Sequence, residues 1–454
     1  MAPRLLALLA GAWVAAASGG LSAPPRANGA NGANSSIGAG AAATPPSTSP
    51  SSTAPPGVLE VKVENLEGLL LLPASIRGTQ ARDTSGLLAL DTGAGYLALD
   101  RGLASWAGIG SGDADSSSIG IAEGTLPRLD LGALRLDQVS PVLIVNAGII
   151  RAVTDRPVIG LLGQRPLANF AIWIDPTRDW LRLIPAAATG DASGSDDETV
   201  RLQKSAAWLG RLLGPHAREL AFELAGDGKI LVQARIDAAS TVTLVLDTGA
   251  TKCVLTRSAL GPGESRAREW RRARGLSGPT LIGASAADVA IVPQLSLGSA
   301  HDEPMVRDLD VAILESPLFD QLERSIGRHV DGLLGASFLW RHRVIIDYPD
   351  RVLWLDPIEG WKNPRPYEYC HIGLQLERRE EGLRVVGMFE NSPAALAGIR
   401  VGDDLAEIDG VAADPLELSI ANRKLEGPPG TWCVVTMRRN GLLTRYYLKR
   451  ERLL

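Results

Sequence analysis

Asp91 and Asp247 stand 156 residues apart in the same setting. One lies in Leu88-Ala89-Leu90-Asp91-Thr92-Gly93-Ala94-Gly95, the other in Leu244-Val245-Leu246-Asp247-Thr248-Gly249-Ala250-Thr251. In each, an apolar strand delivers one carboxyl to its end. Thr and Gly follow because the chain must turn tightly and let backbone N–H groups reach the carboxylate. Two carboxyls brought together cannot both ionise cheaply, so they share a proton. The ionised member can activate a water as general base, and the protonated member can polarise a carbonyl. This hydrolytic chemistry needs no metal and no organic cofactor. The five His and three Cys are scattered, nowhere in the spacing of a zinc site.

The elements that must hold these carboxyls recur with them. Ile159-Gly160-Leu161-Leu162-Gly163 precedes Phe170-Ala171-Ile172-Trp173-Ile174-Asp175, and Asp331-Gly332-Leu333-Leu334-Gly335 precedes Val344-Ile345-Ile346-Asp347. Each unit ends on a similar strand, Asp179-Trp180-Leu181-Arg182-Leu183 and Asp350-Arg351-Val352-Leu353-Trp354-Leu355. Short apolar runs bounded by turn residues read as strands throughout. The glycines let a later strand pass close beside the Asp turn. Two units packed about a pseudo-twofold axis bring both Asp to that axis.

Polar and Pro-rich stretches divide the 454 residues into bodies at 58–185, 199–357 and 368–454, with a linker at 186–198 and a weaker Pro-rich joint at 356–367. Residues 1–17 read as an export signal: one positive charge, a short apolar stretch and Ala15-Ala16-Ala17 as a cleavage pattern. Residues 18–57 are Ala, Gly, Pro, Ser, Thr and Asn, too poor in apolar surface to offset ordering entropy, and read as a tether. No apolar run reaches the roughly 20 residues of a membrane span, so no stable membrane insertion is expected. The net charge of −5 argues against nucleic acid as a partner. Three Cys exclude a disulfide scaffold.

With these motifs in view, residues 58–357 resemble the aspartic peptidases, retropepsin-like in unit size and pepsin-like in carrying two units in one chain. The resemblance implies a mainly β fold of two acid-protease-type barrels in a pseudo-twofold pair. It assigns Asp91 and Asp247 as the catalytic carboxylates and Thr92 and Thr248 as the hydroxyls that brace them. Gly93 and Gly249, with Ala94 and Ala250, complete the turns. It also implies a β-hairpin flap over the cleft, with candidates at 108–124 and about 275–287. Gly95 where the second unit has Thr251, and Ile159 where it has Asp331, mark the first unit as the more divergent. The implied activity is endopeptidase cleavage of an extended peptide or protein, strongest at mildly acidic pH, by a monomer whose repeats pair within one chain. The alternative is a catalytically degenerate protease-fold protein that binds peptides or acts as a scaffold.

Residues 368–454 carry Ile372-Gly373-Leu374-Gln375-Leu376, Asn391-Ser392-Pro393-Ala394-Ala395, Gly398-Ile399-Arg400-Val401-Gly402-Asp403-Asp404-Leu405 and Glu407-Ile408-Asp409-Gly410. In that order they resemble a PDZ domain of the bacterial protease-associated kind, a β-sandwich with two helices. Helices are expected at 394–396, with Ser392 as N-cap and Pro393 in the first turn, and around 416–424. By resemblance Ile372, Gly373 and Leu374 line a groove for the C-terminal end of a peptide ligand, bound by strand addition. A bacterial envelope, periplasmic or extracellular, is the implied location. The basic stretch 264–274 reads as a solvated helical face. Cys253 reads as a buried apolar residue, and Cys370 and Cys433 could pair in an exported protein.

Overall fold

The computed structural model describes residues 58–109, 120–122, 124–186, 208–226, 228–236, 241–280, 283–298 and 305–454. The expected export signal and tether lie outside them, as does the linker at 186–198 apart from Ala186. The chain is mainly β, as its alternating and short apolar runs require. No helix among the described residues is long and apolar enough to cross a membrane.

Residues 64–162 supply a nine-stranded sheet and residues 223–334 an eight-stranded one. The two repeat one arrangement around the Asp strand. Asp83–Leu90 runs parallel to Val158–Leu162, with Leu88, Ala89 and Leu90 opposite Gly160, Leu161 and Leu162. Thr241–Leu246 runs parallel to Gly332–Leu334, with Leu244, Val245 and Leu246 opposite Gly332, Leu333 and Leu334. Both Asp-bearing triplets are buried, which is why they are continuously apolar rather than alternating. The glycines are dictated by close approach: a Cβ on Gly160 would lie 2.0 Å from Ala98 O, and one on Gly332 1.9 Å from Val254 O.

A six-stranded sheet joins the repeats. Its order is Leu59–Lys62, Trp180–Pro185, Phe170–Ile174, His342–Asp347, Val352–Pro357 and Arg218–Ala221, three strands from each. At its centre Ile172 pairs with Ile346 and Trp173 with Ile345. One apolar core runs through both repeats, from Leu72, Leu90 and Leu162 to Ile230, Leu246 and Val344.

The C-terminal module has its own core, from Ile372 and Leu376 to Leu418, Leu425 and Val435. Its main sheet starts at the edge strand Leu374–Arg379 and continues through Gly382–Met388, Asp404–Ile408, Trp432–Arg439 and Leu442–Lys449. Its helices are Pro393–Leu396 and Leu418–Leu425, at the expected places. The Ser392 hydroxyl accepts the Ala395 N–H at 3.3 Å, the cap that the Ser-Pro-Ala order announces.

Two expectations need correction. Residues 264–274 form no helical face: a short 3-10 segment, Pro262–Ala267, gives way to a strand from Arg272. Gly263 and Glu264 take left-handed backbone angles that break a helix there. Of the arginines in 264–274, Arg272 is spent locally, whereas Arg266, Arg268, Arg271 and Arg274 are exposed. Arg257 and Arg272 both bind Glu264 and Asp288, and the two guanidinium groups hold the Glu264 carboxyl down at about 2. Cys370 and Cys433 do not pair; both are buried free thiols on different strands of the module. Cys253 is a buried free thiol too, its Sγ accepting the Gly335 N–H at 3.3 Å. Burial pushes it up to about 11, as suits a packing residue.

Candidate active site

Both Asp are fully buried at the junction of the repeats. Each backbone N–H is fixed by the strand that passes beside it, Asp91 N to Leu162 O and Asp247 N to Leu334 O, both at 3.0 Å. Oδ1 of Asp91 accepts the Ala94 N–H at 3.0 Å, and Oδ1 of Asp247 accepts the Gly249 N–H at 2.8 Å. Oδ2 of each is sealed from solvent with no hydrogen-bond partner among the described residues. Gly93 shows how near the two turns come. A Cβ there would fall 2.7 Å from Asp247 Cγ, so no side chain fits.

The threonines lock the turns together across the pseudo-twofold axis. Thr92 Oγ1 donates to Leu246 O at 3.0 Å and accepts the Thr248 N–H at 3.0 Å. Thr248 Oγ1 donates to Leu90 O at 3.0 Å and accepts the Thr92 N–H at 3.1 Å. All four groups are buried, so each bond also spares a polar group from going unsatisfied. Thr92, Gly93, Thr248 and Gly249 thus all stand at the dyad.

Burial dominates the electrostatics. It pushes Asp91 up to about 6, against the pull of its contact with Asp247, the N–H groups of Ala94 and Gly93, and the positive charge of Lys229. Asp247 is raised well above the usual carboxylate range, first by burial and then by the charge of Asp91. The pair therefore keeps one proton over a wide range, its two ionisation steps belonging to the pair rather than to either residue.

Lys229 was not visible as a site residue in the sequence. It is fully buried at the start of Lys229–Arg235. Register identifies its counterpart. Leu71 pairs with Ala89 and Leu231 with Val245, so Leu69 in the first repeat matches Lys229 in the second. The turns preceding them reach across to the opposite repeat. Trp340 Nε1 donates to Gly68 O at 2.7 Å, and Gly228 abuts the Gln164 side chain. A register-based comparison of the two repeats would have exposed the Leu-to-Lys difference; residue types alone did not.

The second flap candidate is a hairpin, Arg272–Thr280 with Gly283–Leu297, closed where Thr280 pairs with Gly283. Its base is tied to the C-terminal module, since Glu390 N–H donates to Arg274 O at 2.9 Å. The first candidate, 108–124, lies mostly outside the described residues; the strand Gly120–Ala122 pairs with Val142–Val145.

In the C-terminal module, Ile372, Gly373 and Leu374 lead into the edge strand and are buried. Ile372 O accepts the Ala394 N–H, Gly373 O accepts the Phe389 N–H, and Gly373 N–H donates to His371 Nδ1. The helix Gly148–Thr154 of the first repeat packs on both the edge strand and Leu418–Leu425. Asp155, just beyond it, accepts from Leu418 N at 3.3 Å and Arg378 Nε at 3.4 Å, and Arg156 pairs with Glu417 at 3.1 Å.

A carboxy-terminal-processing protease of Bartonella bacilliformis is 31% identical over 75 residues, 16% of this chain and 17% of that protein. The chain spans less than a fifth of the length of the curated relatives it matches. A PDZ domain of a carboxy-terminal protease from Vibrio cholerae, solved in complex with peptide, aligns at 17% identity and TM-score 0.17, covering 18% of this chain and 94% of that one. A retropepsin-like aspartic protease from Rickettsia conorii aligns at 20% identity and TM-score 0.20, covering 28% of this chain and 89% of that one. Residues 232–338, which include Asp247 and its Leu-Leu-Gly strand, match the aspartyl protease family model, and this supports a peptidase.

Proposed function

We propose that the chain is an aspartic endopeptidase whose two repeats, at 58–185 and 199–357, build one dyad within a single molecule. The observation that carries this reading is the reciprocal Thr92–Thr248 bonding, which brings two buried carboxyls of raised proton affinity to one point. Asp91 acts as general base on a water, because Lys229 and the backbone N–H groups favour its charge. Asp247 carries the proton and gives it to the scissile carbonyl oxygen as the water attacks. The proton taken by Asp91 then passes to the leaving nitrogen, and Asp247 recovers its proton as the C–N bond breaks. Both carboxyls are buried, so substrate entry requires the cover of the cleft to move.

The pH dependence follows from the dyad. At acid pH both members are protonated and the base is absent. Cleavage rises as the first proton leaves the pair and falls as the second does, and burial raises both steps above the ordinary carboxylate range. Replacing Lys229 with Met removes a charge that favours ionised Asp91, so the rising limb moves to higher pH by about one unit. A Lys229→Met profile superimposable on wild type excludes this role for the lysine.

The module at 368–454 is a peptide-binding PDZ domain in this reading, and the chain is exported to a bacterial envelope. The edge strand Leu374–Arg379 is where an extended peptide adds. The 148–156 segment already sits against that strand and the helix beside it, so a ligand competes with it. Asp155→Ala should tighten binding of a labelled C-terminal peptide about 5-fold, since it removes two hydrogen bonds from the competitor. Fluorescence anisotropy reads this directly, and weaker binding by the variant excludes the competition.

The test of the whole reading is digestion of a proteome-derived peptide library by the full chain between about pH 3 and pH 8. Discrete cuts support it, and their sequences give the specificity. A folded chain that cuts nothing at any pH turns the barrels into a binding scaffold. Size-exclusion mass at the same pH values separates one-chain from two-chain dyads.

A further inference from the structure

A cavity of about 430 Å³ opens where both repeats, the 358–365 connector and the start of the C-terminal module meet. It lies apart from the dyad, which contributes none of its walls. Trp340 and Trp361 supply aromatic surface, with Pro176, Ile358 and Pro364 around them. Trp361 already takes a cation at its ring, the Arg341 guanidinium at 4.6 Å.

Among the described residues, the carboxylates at this junction are paired with one exception. Lys252 bridges Asp310 and Glu368. Arg365 binds Glu368 at 3.2 Å and also Glu426. Tyr369 donates to Asp310 at 2.9 Å. Glu67 is the exception. It lines the cavity, and its Oε1 is sealed from solvent without a hydrogen-bond partner among the described residues. Glu67 sits in a turn held from the other repeat, where Trp340 Nε1 grips the neighbouring Gly68 carbonyl. If Glu67 ionises, it adds a fourth carboxylate to Asp310, Glu368 and Glu426, against Lys252 and Arg365 within the cluster. Arg423 lies close enough to favour the charge, and Lys362 reaches the rim from solvent. Burial prevails, so Glu67 is pushed up to about 8 and holds its proton at neutral pH.

We propose that this cavity binds a small organic cation, an ammonium, amidinium or guanidinium group on a flat or apolar body, with Glu67 as its counter-ion. The tryptophans take the apolar body and help to stabilise the charge. The two buried cations are already paired with carboxylates, although Arg365 keeps one buried N–H, at Nε, without a partner. The unmatched acid is Glu67, which no group of the junction pairs and which a cation brought in from outside would pair.

The site carries a proton signature. A bound cation favours ionised Glu67, so binding near neutral pH releases about one proton, and affinity rises between about pH 6 and pH 9. The probe is benzamidine, titrated calorimetrically into the full chain in two buffers of different ionisation heat. Saturable binding with proton release supports the site. Glu67→Gln should weaken it at least about ten-fold and abolish the release. Asp91→Asn should bind like wild type, which separates this cavity from the catalytic cleft and from the peptidase reading. Should Glu67→Gln fail to fold, the wild-type proton release and its loss above about pH 9 decide alone. Binding without proton release, binding insensitive to Glu67→Gln, or no saturation at millimolar probe each overturns the proposal.

Discussion

Replacing either Asp91 or Asp247 with Asn should lower kcat/KM for a cleaved peptide at least about 10³-fold, and replacing both should cost no more than replacing one. The two carboxyls act as a unit. One must be ionised and the other protonated, and an amide can be neither the base nor the acid. A second, separable readout accompanies the loss. Burial raises Asp91 from the ordinary 3.8 to about 6. A carboxyl raised on folding contributes stability that is complete below its unfolded pKa and is lost as pH rises through the folded one. At pH 7 the wild type therefore carries a penalty that Asp91→Asn does not, on the order of 3 kcal/mol. The inactive variant should melt above wild type at pH 7 and converge with it at acid pH. Cleavage that survives one substitution removes the shared dyad. A variant that is inactive because it is unfolded shows itself in the same melt.

Thr92→Val should destabilise the protein by about 2–5 kcal/mol and Thr248→Val by as much, with the double variant well short of the sum. Val keeps the shape and removes the hydroxyl. Each hydroxyl makes two buried bonds to the other repeat, one as donor to a leucine carbonyl and one as acceptor from the partner threonine N–H. Its loss leaves a carbonyl and an N–H buried and unsatisfied, which is the costly case. Once one side is cut, the other has less to lose, because the two turns no longer hold a common geometry. Urea melts of the four proteins at one pH supply the cycle. A strictly additive result means that the threonines stabilise their own repeats only.

Much of this was legible in the sequence because close packing leaves marks on residue type. The Asp-Thr-Gly turns were readable since only Gly fits beside the opposite carboxyl at position 93. The Leu-Leu-Gly strands were readable since the chain passes a backbone carbonyl at 160 and 332. The Ser392 cap and the two module helices followed from local capping and turn chemistry. What escaped were relations between distant residues. Lys229 acts on an Asp of the other repeat, and Glu67 meets Arg365, Glu368 and Glu426 only after the first repeat has docked on the Pro-rich joint and the C-terminal module. The 264–274 stretch misled for the same reason. Its charge run suggested a helical face; most of its arginines are exposed, but Gly263 and Glu264 break the helix and Arg272 pairs with Asp288 on the far strand of a hairpin.

The joining sheet has a bearing on the order in which the chain acquires its structure. Its central pair sets Ile172 against Ile346, and the outermost strand of the second trio, Arg218–Ala221, pairs with Val352–Pro357. Contacts of such long sequence separation impose loop-closure costs before they reward them, and they slow folding. During synthesis Phe170–Ile174 emerges long before its neighbour His342–Asp347 exists, and until then it presents an open β edge to whatever else is near. The first repeat on its own is thus an aggregation-prone half, and the second repeat serves as the intramolecular partner that closes that edge.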